Sequence, residues 1–263
     1  MGEFMGNAEA VAVQRALAAR HDAIAADPRL ANGGRILNIL DPDAYGWDGV
    51  RDSAFADGYV ALTMVEKAKT FARIGEVFGD TVETPFWEAF VGTPDQVLPI
   101  CRELVAKIEI PEGWRLETTT SPDQVTIRAV QTLNAETGVS PAPAYFMRGD
   151  TVPGLLACLY DEDGNLAASA ATTMRYHADG RLGGWVFAGG VSVSPAHQRR
   201  QLGALINAVA LLESHAAFGW KCALEQAKAD NAASVGMIRK CGLSQDPDFV
   251  TIVVNTTGSY VTR

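Results

Sequence analysis

Val191-Ser192-Val193-Ser194-Pro195-Ala196-His197-Gln198-Arg199-Arg200-Gln201-Leu202-Gly203-Ala204 joins an apolar stretch to a short turn and then to a run with helical spacing. Leu202, Leu205, Ile206, Val209 and Leu212 fall on one face and Gly219 ends the run, which predicts a helix over 201–218. The first turn of a helix carries N–H groups without partners, and the helix dipole adds partial positive charge there. Such a start suits a phosphate or pyrophosphate. Gly203 permits close approach of backbone and ligand, and Arg199 and Arg200 add charge. Residues 195–242 hold six Lys/Arg and three Asp/Glu, a surplus of +3 in a chain of net charge −9. An ordinary helix start with two solvated arginines fits these features equally well.

Outward from this stretch, strands and helices alternate. Downstream, a strand is predicted over 221–227, a helix over 232–241 ended by Gly242, and a strand over 249–254. Upstream, Trp114–Thr119 reads as a strand and 122–135 as a helix. Strands over 154–160, 166–177 and 183–193 are separated by the turns Asp161–Gly164 and Ala178–Gly180, which fit hairpins of an antiparallel meander. Gly189-Gly190 inside the last of these marks a bulge or a close backbone approach. Residues 113–263 are thus expected to form one mixed α/β domain, with its boundary near 108–114.

Residues 5–112 are expected to form a smaller N-terminal accessory domain, α/β or helical. A helix over 8–26 stops at Asp27-Pro28, and Arg35–Leu40 is a strand or a buried turn. A strand over 57–63 precedes a helix marked by Phe71, Ile74 and Phe78 and stopped by Gly79. Thr93-Pro94-Asp95-Gln96 then combines a cap, a proline at the first helical position and a reciprocal Gln, with Val97, Ile100, Cys101 and Leu104 behind it. The same signal returns at Ser121-Pro122-Asp123-Gln124-Val125, but the flanks do not match. Convergent capping is favoured over an internal duplication. Met1-Gly2-Glu3-Phe4 ahead of Met5 reads as a cloning scar and is set aside.

The composition excludes several classes. With 263 residues, 48% hydrophobic and 20% charged, the chain can bury a core and is not disordered. The excess of 31 Asp+Glu over 22 Lys+Arg argues against broad binding of nucleic acid or an anionic membrane. Cys101, Cys158, Cys222 and Cys241 are far apart and form no CxxC pair, and the chain has four histidines. No metal site or disulfide framework is expected, and a reducing, cytoplasmic setting fits better. No apolar run reaches the roughly 20 residues that span a bilayer, and no secretory signal is evident.

Val193-x-Pro195 followed by Gln198-Arg199-Arg200-Gln201-Leu202-Gly203 resembles the acyl-CoA loop of the GNAT N-acyltransferases, (Gln/Arg)-x-x-Gly-x-(Gly/Ala). Asn231-Ala232-Ala233-Ser234, running on to Lys240-Cys241-Gly242-Leu243, resembles the second signature of that family, Asn-x-x-Ala/Ser ending in Lys-x-Gly-Phe. Over about residues 114–254 the elements follow in the family's order. The resemblance implies a GNAT-like central mixed sheet with flanking helices. It implies transfer of an acetyl or short acyl group from acetyl-CoA, a cosubstrate, to a primary amine by direct attack in a ternary complex. Val191, Ser192, Val193, Gln198, Arg199, Arg200, Gln201, Leu202, Gly203, Ala204, Asn231 and Ser234 would then hold the CoA. The acceptor would be a small molecule with an amino group, and a homodimer is compatible with the family. The N-terminal part could be a degenerate second copy of the fold.

Two positions depart from the pattern. Gln201 stands where the loop has its first glycine, and Ile238 stands where many members carry a tyrosine that protonates the departing thiolate. Asn231, Ser234 and Ile238 share a helix face. Ser234 is a candidate replacement acid, although capping near the helix start is the commoner role of a serine there. A thiol of pKa about 8.5 leaves tolerably without an acid. The family splays the strands at 185–193 and 221–227 around the thioester, and Glu225 is the only carboxylate in that pair. It is either the base that takes the amine's proton or an outward-facing solvated side chain. Tyr176 and His177 read as a surface pair beside a turn, His197 as a loop residue, His215 as a helix-face residue, and Trp185, Phe187 and Trp220 as core. The departures leave two alternatives: a non-catalytic acyl-CoA-binding or regulatory domain, and a GNAT-fold enzyme of other CoA chemistry, such as decarboxylation.

Overall fold

The computed structural model describes residues 3–258. Helices α1 (Ala8–Ala19) and α2 (His21–Ala25) precede two short strands, β1 (Leu30–Asn32) and β2 (Leu37–Ile39). Helices α3 (Pro42–Tyr45) and α4 (Trp47–Asp57), strand β3 (Tyr59–Glu66), helix α5 (Lys67–Phe78), strand β4 (Phe86–Gly92) and helix α6 (Pro94–Lys107) follow. The rest of the chain runs β5 (Arg115–Thr119), α7 (Gln124–Glu136), α8 (Ala144–Met147), β6 (Gly154–Tyr160), β7 (Leu166–Thr173), β8 (Trp185–Val193), α9 (Leu202–Phe218), β9 (Cys222–Ala227), α10 (Ala232–Lys240) and β10 (Ser244–Asn255). The mixed α/β class expected from the sequence is the class observed.

All ten strands lie in one sheet, in the order β1-β2-β3-β10-β4-β9-β8-β7-β6-β5. Neighbours are antiparallel except β2/β3 and β8/β9. Strand β4, from the first half of the chain, sits between β9 and β10 from the second. The N-terminal and C-terminal segments therefore share a continuous hydrogen-bonded ladder.

The elements form where packing and caps agree. In α6 the Gln96 side chain accepts the Thr93 backbone N–H at 3.0 Å in a reciprocal capping box, while Val97, Leu98 and Cys101 are buried. Helix α9 is buried on nearly every side. Leu202, Leu205, Ile206 and Val209 pack on Leu155, Leu159 and Ala168 of the meander, and Ala208 and Leu211 meet Trp220, Ala223 and Val97. Burying each such aliphatic side chain contributes about 1.5–3 kcal/mol before entropy is subtracted. Helix α7 covers the opposite sheet face, with Val130 against Leu156, Cys158 and Tyr160.

Several expectations are corrected. The second capping signal is used differently from the first: the cap of α7 is Asp123, whose carboxylate accepts the Thr126 N–H at 2.8 Å, not Ser121. A charged oxygen next to the helix dipole is the stronger cap. Strand β7 ends at Thr173 rather than 177, and Tyr176 is no surface residue. It turns inward among Leu40, Met64, Leu182 and Leu224, and burial pushes its phenol up to about 12. The tight loop that follows needs Gly183, where a Cβ would stand 2.0 Å from the Ala178 carbonyl oxygen. Strand β10 starts at Ser244, five residues early, because its pairing with β4 tolerates an irregularity between Gln245 and Val250 that takes in Pro247. Glu3 and Phe4 pack against the fold: Glu3 pairs with Arg148 at 3.0 Å and the Phe4 ring meets Tyr145 edge-on.

Candidate active site

The site begins as a gap in the sheet. Strands β8 and β9 are paired at Trp185/Cys222, Val186/Ala223 and Phe187/Leu224, and the pairing stops there. On the other edge of β8, Ser169 faces Ser192 and Ala171 faces Gly189, so two residues, Gly190 and Val191, oppose the single Ala170. This is the bulge expected at Gly189-Gly190. Gly190 has φ +63°, a conformation that favours glycine. The bulge turns the end of β8 away from β9.

A cavity of about 570 Å³ occupies the gap, with Ala188, Gly189 and Gly190 of β8 and Glu225 and Gln226 of β9 in its walls. One part is walled by Gln198, Arg199, Gln201 and Gly203, with Asn231, Ser234, Met237 and Lys240 beyond them. Another is walled by the first half of the chain and by β10: Arg35, Asn38, Trp87 and Val253, with Arg175 beside them. The cavity thus connects the helix-start loop to a chamber that the loop's own segment does not build.

The helix start has the geometry for an anion. Arg199 and Gln201 both adopt positive φ, +62° and +61°, and Gln201 is the residue at the start of α9. The Gln201 side chain does not cap the first turn of α9, and among the described residues no side chain bonds to its amides at Leu202, Gly203 and Ala204. Gln201 therefore takes up a glycine-favouring backbone conformation with a larger residue. Its Oε1 accepts Lys240 Nζ at 3.0 Å, which draws the side chain toward α10. A Cβ on Gly203 would stand 3.6 Å from both Met237 Sδ and Val193 Cγ2, an ordinary contact, so this glycine serves the space in the cavity more than the packing of the fold.

The other predicted residues divide. Asn231 caps α10, its Oδ1 accepting the Ser234 N–H at 3.1 Å, and Ser234 is the one hydroxyl of α10 on the cavity wall. Val191 and Val193 flank Gly203. Ser192 borders the cavity, but its hydroxyl donates to Asn134 Oδ1 at 2.7 Å and accepts from Thr137 at 2.9 Å, which ties it to α7. Arg200 lies outside the walls, its guanidinium 5.4 Å from the centre of the Trp114 ring. Trp114 also meets His197 edge-on, and His215 meets Trp220 likewise. Trp220 is fully buried; Trp185 is partly buried, and so is Phe187, which borders the cavity.

Glu225 is 2% exposed, which removes the solvated reading. Its Oε1 accepts Asn207 Nδ2 at 2.7 Å, and Asn207 Nδ2 also lies 3.5 Å from Cys241 Sγ. Burial outweighs that hydrogen bond and pushes the carboxyl up to about 7. Cys241 is pushed up by Cys101, by burial and by Glu225 itself, and stays a thiol.

Sequence reasoning missed Arg35, Asn38, Trp87, Arg175 and Gln226. Most come from the first half of the chain or from the loop after β7, whose place beside the gap is set by sheet order. Among the described residues, no group of three or more His, Cys, Asp or Glu is gathered for a metal, and no helix is long and apolar enough to cross a membrane.

Residues 128–243 match the model of the acetyltransferase (GNAT) family. The fold is similar to a tandem GNAT protein from the clavulanic acid biosynthesis pathway, at 15% identity and TM-score 0.56 over 87% of this chain and 78% of that one. It is also similar to a GCN5-related N-acetyltransferase from Kribbella flavida, at 15% identity and TM-score 0.57 over 92% and 95%. A GCN5-related N-acetyltransferase-like protein from Streptococcus suis gives 14% identity and TM-score 0.54 over 84% and 80%. No curated protein sequence matches the chain significantly. At such identities the structural likeness speaks for the fold alone. The sequence match over 128–243 and the helix start, bulge and strand gap fall on the same segment, and it is this segment that is similar to the GNAT acetyltransferases.

Proposed function

We propose that this protein transfers an acetyl or other short acyl group from acetyl-CoA to a primary amine, by direct attack within a ternary complex. The observation that carries the reading is the cavity through the β8/β9 gap, which joins the uncapped start of α9 to a chamber walled by the first half of the chain. The amides of Leu202, Gly203 and Ala204, with Arg199 and Lys240 beside them, fit a pyrophosphate. The thioester would then lie in the gap, where the freed edge of β8 offers backbone N–H groups to the oxyanion. The amine would enter from the chamber.

In the step itself, the amine nitrogen bonds to the thioester carbon, the C–S bond breaks, and one proton leaves the nitrogen. Glu225, with its carboxyl near 7, is the candidate acceptor of that proton, directly or through water. Ile238, buried on α10, supplies no proton to the thiolate, and Ser234 is the hydroxyl of α10 that borders the cavity. A thiol of pKa about 8.5 leaves near neutral pH at small cost. The missing tyrosine is also what favours a second reading, a domain that binds acyl-CoA without turning it over. Release of free CoA from acetyl-CoA in the presence of an amine panel separates them. Amine-dependent release supports transfer, and tight binding with no release across the panel supports the sensor.

A further inference from the structure

The cavity walls hold four cationic side chains, Arg35, Arg175, Arg199 and Lys240, and among the described residues their one acid is Glu225. Arg199 and Lys240 stand at the helix start, where the phosphates of the donor are expected. The other two belong to the chamber. They come from distant parts of the chain, the β1–β2 turn and the loop after β7, yet they converge. A Cβ on Gly33 would stand 3.3 Å from Arg175 Nη1, so the Arg175 guanidinium reaches the turn that carries Arg35.

Both arginines are held rather than waving in solvent. Arg175 Nε donates to Thr173 Oγ1 at 2.9 Å, and its guanidinium lies 3.9 Å from the centre of the Phe187 ring and 5.5 Å from that of Phe146. Arg35 donates to the Ser140 carbonyl, and both side chains are half-buried. A planar guanidinium whose orientation is fixed by stacking is prepared to meet a planar or tetrahedral oxyanion, and little ordering is left to be done on binding. The same pair acts against an ammonium. A like charge nearby disfavours the protonated amine, whereas an anionic group on the same molecule restores balance. A simple cationic amine would find this chamber repulsive, and an amine that carries a negative group elsewhere would not. Trp87, Ile36 and Val253 add apolar wall to the cavity.

We propose that the acceptor is an amine bearing an anionic oxygen group, a carboxylate or a phosphate, which Arg35 and Arg175 hold while the amine faces the β8/β9 gap. The assignment rests on the acyl-transfer reading above and names the substrate class for it.

The test compares matched acceptors with acetyl-CoA: amino acids against the corresponding decarboxylated amines, and O-phosphoethanolamine against ethanolamine. The wild-type protein is expected to favour the anionic member of at least one series by tenfold or more in kcat/KM. The series that shows the preference tells carboxylate from phosphate. Arg175→Gln is expected to lower that selectivity ratio by about 10–100-fold, mainly through KM, which is the usual worth of a charged hydrogen bond. Acetyl-CoA affinity, read by calorimetry on the same sample, reports that the variant is folded. Should Arg175→Gln not fold, Arg35→Gln on the neighbouring turn carries the same test. Equal or better use of the amines that lack the anionic group overturns the assignment and leaves acyl transfer standing. So does a variant that slows both members alike. Acetyl-CoA binding with no turnover of any member overturns it too. Failure of the wild-type protein to bind acetyl-CoA overturns the acyl-transfer reading itself.

Discussion

The side-chain amide of Asn207, on α9, donates to Oε1 of Glu225, on β9, at 2.7 Å in the interior of the protein. One hydrogen bond does not offset the burial of a carboxylate, so the acid is raised to about 7. The Oδ1 atom of the same asparagine is buried without a hydrogen-bond partner. A structure that leaves a polar pair so thinly satisfied beside a cavity keeps a proton there that can be exchanged near neutral pH.

For Glu225→Gln, kcat/KM for amine acetylation is expected to fall by about 10²–10⁴-fold, the usual contribution of a general base. Acetyl-CoA affinity should be retained. The wild-type rate should rise with pH through about 7 as the carboxylate forms, and the variant should lose that limb. A fall of less than about fivefold, barely 1 kcal/mol, removes Glu225 from the mechanism.

The same residue predicts a stability effect of definite sign. The folded-state carboxyl titrates at about 7, against 4.5 for the ordinary group. Its contribution to stability is therefore fully present below pH 4.5 and lost as pH rises through about 7. Glu225→Gln removes that loss. Denaturant titrations should show the variant gaining on the wild type between pH 5 and 8, by up to about 3 kcal/mol. A gap that stays constant with pH contradicts the buried, raised acid.

Gln201 holds φ +61°, where a side chain costs roughly 1 kcal/mol that glycine does not incur. Gln201→Gly should therefore leave the melting temperature unchanged or raise it slightly, despite losing the bond to Lys240 Nζ. Surface contacts of that kind are worth about 0–1 kcal/mol. A clear drop in melting temperature would mean that the Gln201–Lys240 bridge, and not the backbone, fixes the loop.

Thr93→Ala should destabilise the protein by about 1 kcal/mol, because it removes half of the capping box at α6. Chemical denaturation checks it. A change within error would show that burial of Val97 and Cys101 alone specifies where α6 begins.

The second half of the chain was legible in its sequence, and the first half much less so. The α9 helix, its stop at Gly219 and the bulge at Gly190 follow from periodicity and from what glycine permits, which are local properties. Strand β4 went unread because Phe86–Gly92 is a short apolar run between two X-Pro turns, and its pairing with both β9 and β10 is a long-range fact. Helix α4 buries only Val50 and Ala54, too few to leave a helical stripe. The residues proposed for the donor side lie within one segment, so their spacing could be read along the chain. Arg35, Trp87 and Arg175 are brought together by sheet order, which no spacing along the chain records.

The central claim is that acetyl-CoA occupies the gap with its pyrophosphate on the start of α9, and calorimetric titration of acetyl-CoA into the wild type, Gly203→Val and Arg199→Ala tests it most directly. The account predicts binding to the wild type, stabilising the fold by about 2.7 kcal/mol at a hundredfold excess over Kd. Gly203→Val should lose most of the affinity, because the added methyls enter the cavity over the α9 amides. Arg199→Ala should lose far less, since it removes one exposed charge. No heat and no shift in melting temperature at millimolar acetyl-CoA, or a greater loss in Arg199→Ala than in Gly203→Val, would contradict it.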